Sequence, residues 1–131
     1  MNKNFELREK IIYGDHIPTK YFGGCRNFSC TREVIQELLE NDFIDPKECQ
    51  NDSPSVQEFF DFTEGFDDVE FECYEISPDR DDYRVTIEGI DISIPDNDHD
   101  GLSNVVDYLR YADEFDMTHT GSKYFIHAWW D

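Results

Sequence analysis

At 131 residues the chain is long enough to bury a real core, and residues 1–131 are expected to form a single acidic domain. Only 38 % of residues are apolar, but 15 % are aromatic, which argues against an acidic disordered segment because such segments are poor in aromatic residues. Eleven basic against thirty-one acidic side chains leave a net charge of −20. That balance excludes direct binding to nucleic acid or an anionic membrane, since both need positive charge on the protein.

Residues 4–13 (NFELREKIIY) fit either a strand or a helix. The stretch from Gly14 to Cys30, with Pro18 and Gly23-Gly24, reads as an irregular connection. A helix over 31–42 follows, with Thr31 at its N-cap and Val34, Ile35, Leu38 and Leu39 recurring at helical spacing. Asp45-Pro46 marks a stop, and the box Ser55-Val56-Gln57-Glu58 opens a second helix over 54–64 with Val56, Phe59 and Phe60 inward and Gly65 past its end. The period then falls to two. Strands are predicted over 69–77, 83–88 and 90–95, the last two separated by a phase slip at Glu88-Gly89 that implies a tight turn or a bulge. Leu102, Val105, Val106 and Leu109 give a third helix over 102–114. A final strand over 123–130 is entered through Thr120-Gly121-Ser122. Short connections between strands predict an α+β fold: an antiparallel sheet of about four strands with helices packed on one face.

The charge is uneven along this order. Residues 1–65 carry seven bases and thirteen acids, net −6, whereas residues 66–131 carry four and eighteen, net −14. A one-signed field over the second half attracts basic surfaces. The expected contact residues are Asp67, Asp68, Glu70, Glu72, Asp79, Asp81 and Asp82. Glu70 and Glu72 are roughly 6.5–7 Å apart on one strand face and present an ordered row of charge. Solubility alone also enriches acids, and so does adaptation to high salt, although the Phe, Ile and Asn content is that of an ordinary mesophile. The N-terminus has no apolar run of signal-peptide length and no segment approaches a membrane span, so a cytoplasmic location is expected.

The sharpest motif is Asp96-Asn97-Asp98-His99-Asp100-Gly101 with Asp107 six residues after the glycine. This spacing resembles a Ca²⁺ loop, in which a hard cation gathers carboxylate oxygens around a glycine turn. Position 12 is Asp107 rather than Glu, and Ser103 occupies a place where an apolar anchor is usual. The competing reading is a set of acids capping the helix near Leu102. Cys25, Cys30 and Cys49, with His16 upstream, lack a second closely spaced ligand pair. Neither zinc nor a disulfide is therefore expected, and Cys73 alternates with Val69 and Phe71 as a core residue. No nucleophile elbow, phosphate loop, dinucleotide fingerprint or zinc-protease motif occurs, so no catalytic residues are assigned. His127 reads as a hydrogen-bonded structural residue in an aromatic strand. In such a strand Trp129 and Trp130 point to opposite faces, so one enters the core and the other covers an edge or anchors a partner.

At Asp79-Arg80-Asp81-Asp82-Tyr83-Arg84-Val85-Thr86-Ile87-Glu88-Gly89 and the final Ala128-Trp129-Trp130-Asp131, the chain resembles a group of small, acidic, uncharacterised proteins of bacteria, phages and other mobile elements. In overall composition it is also similar to the acidic anti-restriction and anti-CRISPR proteins that imitate DNA. That likeness implies an inhibitor that occupies the basic channel of a nucleic-acid-binding host protein, and it transfers no individual residues.

Overall fold

The structure, a computed structural model, describes residues 1–18 and 24–131. Residues 5–13 resolve to a helix, α1 (Phe5–Tyr13), because both ends are satisfied locally. The Asn4 side chain accepts from the Leu7 amide, and Gly14, at a φ of 60°, turns its N–H back to the Lys10 carbonyl. The expected irregular connection is corrected in its second part. Cys25–Thr31 is a strand, β1, with Phe28 and Cys30 inward and polar residues outward. Gly23 and its neighbours from 19 lie outside the described residues.

Thr31 ends β1 and is the N-cap position of α2 (Arg32–Glu40), but its hydroxyl makes no capping bond. The amphipathic stripe carries α2: Ile35 and Leu38 are fully buried. α3 (Val56–Phe62) starts with the expected reciprocal box, Ser55 accepting from the Glu58 amide and Glu58 from the Ser55 amide. Val56 and Phe59 are buried, while Phe60 and Phe62 are half-buried. Gly65, two residues past the Thr63 cap, has a φ of 92° that a side chain would resist.

β2 (Val69–Ile76) and β3 (Val85–Pro95) form an antiparallel pair. The two strands expected over 83–88 and 90–95 are one. Glu72 faces Gly89 and Cys73 faces Ile87, so Glu88 is an extra, unpaired residue and the phase slip is a β-bulge. α4 (His99–Leu109) begins and ends earlier than the periodicity suggests, because Asp98 caps it and the chain is needed for β4 (Glu114–Thr120), which the sequence pattern did not announce. Gly121, at a φ of 64°, closes the hairpin into β5 (Lys123–Trp129).

The sheet is antiparallel throughout, in the order β1-β2-β3-β5-β4, with the helices on one face. Phe71, Ile90, Ile92, Ile126 and Ala128 meet Ile35, Leu38, Phe59, Val105 and Leu109 in a continuous buried cluster, which Cys73 joins. Trp130 enters it edge-on to Phe59, with ring centroids 5.4 Å apart. Burial of an aromatic side chain of this size is worth roughly 3–5 kcal/mol against alanine. Trp129 stays half-buried beside Gly89. No helix among the described residues is long and apolar enough to cross a membrane.

Candidate metal centre

Alternation along each strand decides what the open face of the sheet carries. In β3, Ile90 and Ile92 point inward, so Asp91 points outward. In β5, Ile126 and Ala128 point inward and His127 outward. Register then sets Asp91 directly opposite His127, with Glu70 on the other side of Asp91 and Asp116 on the other side of His127. His127 Nδ1 lies 2.8 Å from Asp91 Oδ1 and 3.1 Å from Glu72 Oε2. Glu72 reaches it by leaning across β3 at Gly89, where a Cβ would stand 3.1 Å from Glu72 Oε2. The missing side chain is what lets donors from three strands converge.

Among the described residues, Glu72, Asp91 and His127 are the one group of three such donors whose ligand atoms lie within 4.8 Å of one another. Neighbouring donors around an ion bonded at about 2.1 Å stand about 3.0–3.4 Å apart, close to the two separations from Nδ1. All three side chains are half-buried. Burial pushes the Glu72 carboxyl up to about 7, helped by a hydrogen bond to Asp91 and by its charge, against the pull of His127. Burial alone would lower His127, but the hydrogen bond and charge of Asp91, then the charges of Glu72 and Glu114, raise it above its ordinary value. A cation bound here would compete with the protons of Glu72 and His127. Beside them lies an open groove of about 380 Å³, bordered by Glu70, Ser93, Asp116 and Phe125.

The seven acids expected to make one contact surface do not lie together. Asp67, Asp68 and Glu70 are exposed at the start of β2, and Glu72 belongs to the cluster. Asp79, Asp81 and Asp82 occupy the β2–β3 turn, about 23 Å away along a strand of eight residues. Asp82 is also held by Arg80 at 2.8 Å and Arg84 at 3.3 Å; desolvation raises its carboxyl, but the hydrogen bond from Arg80 and the charges of both arginines together bring it below its ordinary value. Acids of the 96–107 loop are engaged elsewhere. Asp98 accepts from the Gly101 amide at 3.0 Å as the N-cap of α4, and Asp96 pairs with His119 at 3.1 Å. Asp100 and Asp107 ride on the helix, about 10 Å apart along its axis, so the four carboxylates do not surround one point. Cys30 and Cys73 are buried with sulfurs 3.9 Å apart, while Cys25 and Cys49 are exposed; all four are free thiols.

Sequence reasoning did not single out Asp91 and read Gly89 only as part of the slip; His127, read as hydrogen-bonded, does bond to Asp91. The signal was present only as outward strand positions holding Glu72, Asp91 and His127. Nothing in the chain announced the register that joins them.

A second ionic cluster sits on the opposite, helix-covered face. Arg8 and Glu75 are fully buried, with Arg8 Nε 3.6 Å from Glu75 Oε2 and Arg8 Nη2 donating to the Ile76 carbonyl at 3.1 Å. Arg26 bridges Glu75, at 2.8 Å, and Glu9. Burial, then a hydrogen bond with Glu75 and its charge, push the Glu9 carboxyl up to about 8 against Arg26 and Arg8. Enclosed beneath α1, this cluster ties that helix to β1 and β2.

The fold is an α+β domain whose open face carries one histidine and two carboxylates placed closely enough to coordinate a metal ion. No family model, no curated protein and no solved structure matches the chain.

Proposed function

We propose that the chain is a divalent-cation-binding domain in which Glu72, Asp91 and His127 hold one ion. The observation that carries this is the approach of His127 Nδ1 to both carboxylates, at 2.8 and 3.1 Å, from three neighbouring strands. One imidazole with two carboxylates suits Mn²⁺, Fe²⁺ or Zn²⁺ better than Ca²⁺, which prefers six to eight oxygens. Three protein ligands leave coordination positions open to water or to a small anion in the adjoining groove. Calorimetric titration with Mn²⁺ and Zn²⁺ tests the assignment, with Ca²⁺ as competitor. One site is expected, lost in His127→Ala and kept in Asp98→Ala. Absence of saturable heat at millimolar ion, or identical binding by His127→Ala, overturns it.

A second reading keeps the acidic outer face as a docking surface for a basic protein of the cytosol, such as a nucleic-acid-binding protein whose DNA the molecule would imitate. Its support is the cross-strand row of Glu70, Asp91 and Asp116, with exposed Asp67 and Asp68 at its margin. Such docking is fast at low salt and weakens as screening shortens the field to roughly 8 Å. Competition with duplex DNA on a captured partner tests it; simultaneous binding of both refutes mimicry.

A further inference from the structure

Away from the sheet's open face, the surface between α3 and α4 is aromatic. Tyr108, Tyr111 and Trp130 border a groove of about 390 Å³ whose remaining borders are Asp52, Ser53, Pro54 and Glu58. Among the described residues no basic side chain borders it. On the far side of Tyr108 a second hollow, of about 580 Å³, continues the groove along Phe62, Glu64 and Phe66. The Tyr108 ring lies 3.9 Å from that of Phe62, which stacks on Phe66 at 5.7 Å. Tyr111 is 77 % exposed, an unusual position for so large a ring.

The chain shows what such rings hold. Five of its six arginines sit over an aromatic ring: Arg8 over Tyr83, Arg26 over Tyr13, Arg32 over Phe60, Arg84 over Tyr74 and Arg110 over Tyr111, at 3.8 to 5.5 Å from the ring centre. Among the described residues, neither Tyr108 nor Trp130 carries a cation in this way. A flat guanidinium stacks on a ring face and gives paired N–H donors to a carboxylate, whereas an ammonium offers only a point charge. We propose that this groove receives an arginine side chain of a partner polypeptide, stacked on the Tyr108 ring, flanked by Tyr111 with its own Arg110, and paired with Glu58. Burial and then the charges of Glu58 and Asp61 raise the Tyr108 phenol, and those two carboxylates place negative potential at the same spot.

This inference goes beyond both readings, because it concerns a surface separate from the sheet's open face and is independent of the metal site. The probe is an acetylated, amidated Gly-Arg-Gly-Arg-Gly peptide, followed by amide NMR shifts. Saturable shifts at Tyr108, Tyr111 and Trp130 are expected, weakened about threefold or more in Tyr111→Ala, the worth of one exposed cation–ring contact. Glu58→Gln should weaken binding further, while Glu70→Lys with Asp116→Lys, which disables docking through the open face, should leave the groove intact. Because Tyr111 is exposed, its truncation leaves the fold in place. Unsaturable shifts up to about 10 mM peptide, equal binding by Tyr111→Ala, shifts confined to the open face, or equally tight binding of the lysine counterpart each overturn the proposal.

Discussion

Gly89→Ala adds one methyl group at the point where Glu72 crosses β3. The new carbon would stand 3.1 Å from the Ala128 carbonyl oxygen, 3.1 Å from Glu72 Oε2 and 3.1 Å from Trp129 Cδ1. The carbonyl belongs to the β3–β5 ladder and yields little, whereas the carboxylate ends a flexible side chain and moves. Glu72 therefore swings off His127, and the chelating group falls from three donors to two. Losing a supporting contact of a metal site costs about 10–100-fold in affinity, so a loss of at least tenfold is expected. The methyl also overpacks the strand, at about 1–2 kcal/mol. For 131 residues, with unfolding entropy near 2.1 cal/mol/K each, that is a fall in Tm of about 4–7 °C. Calorimetry with Mn²⁺ and thermal unfolding read the two effects separately. Glu72→Gln should reproduce the affinity loss with less change in Tm. A folded Gly89→Ala protein that binds metal as tightly as the parent would refute the role given to Glu72 and to the glycine beneath it.

Two further outcomes follow from groups away from that glycine. Glu9 holds its proton in the folded state up to about 8, against 4.5 when free, so its contribution is fully present below about 4.5 and is lost as pH rises toward 8. Stability measured by urea should therefore fall between about pH 5 and 8, and Glu9→Gln, which is neutral throughout, should flatten the decline to the part owed to Glu72, Glu88 and His127; an unchanged slope contradicts the assignment. Asp98→Ala removes the bond to the Gly101 amide and should cost about 1 kcal/mol, independent of Ca²⁺; a calcium-dependent cost would return the acidic loop to consideration as a metal site.

The sequence was most legible where one pattern dominated. The reciprocal Ser55–Glu58 cap, the Ile35–Leu38 stripe and the slip at Glu88 each have a local cause, and each leaves a local trace. β1 and β4 left almost none. Both are edge strands with mostly polar, exposed residues, so their pairing comes from the neighbouring strand and not from their own periodicity. The cluster was illegible for a related reason. Glu72, Asp91 and His127 are 19 and 36 residues apart along the chain, and only register and a side-chain-free crossing point join them. The acids of the β2–β3 turn misled in the opposite direction. Closeness in sequence to Glu72 hid both the length of the strand between them and the arginines that hold Asp82.

β4 ends the sheet, so among the described residues one row of its backbone N–H and C=O groups has no neighbouring strand. A bare edge of this kind is a template for a second chain, and polypeptides crowd together through it. Here the edge begins Glu114-Phe115-Asp116, with nearly every side chain exposed. Two copies approaching β4 to β4 would each carry Glu114 and Asp116 to the seam. Their negative charge opposes such pairing between identical molecules. Acid or concentrated salt, by neutralising or screening those carboxylates, removes that protection while the sheet itself is still folded.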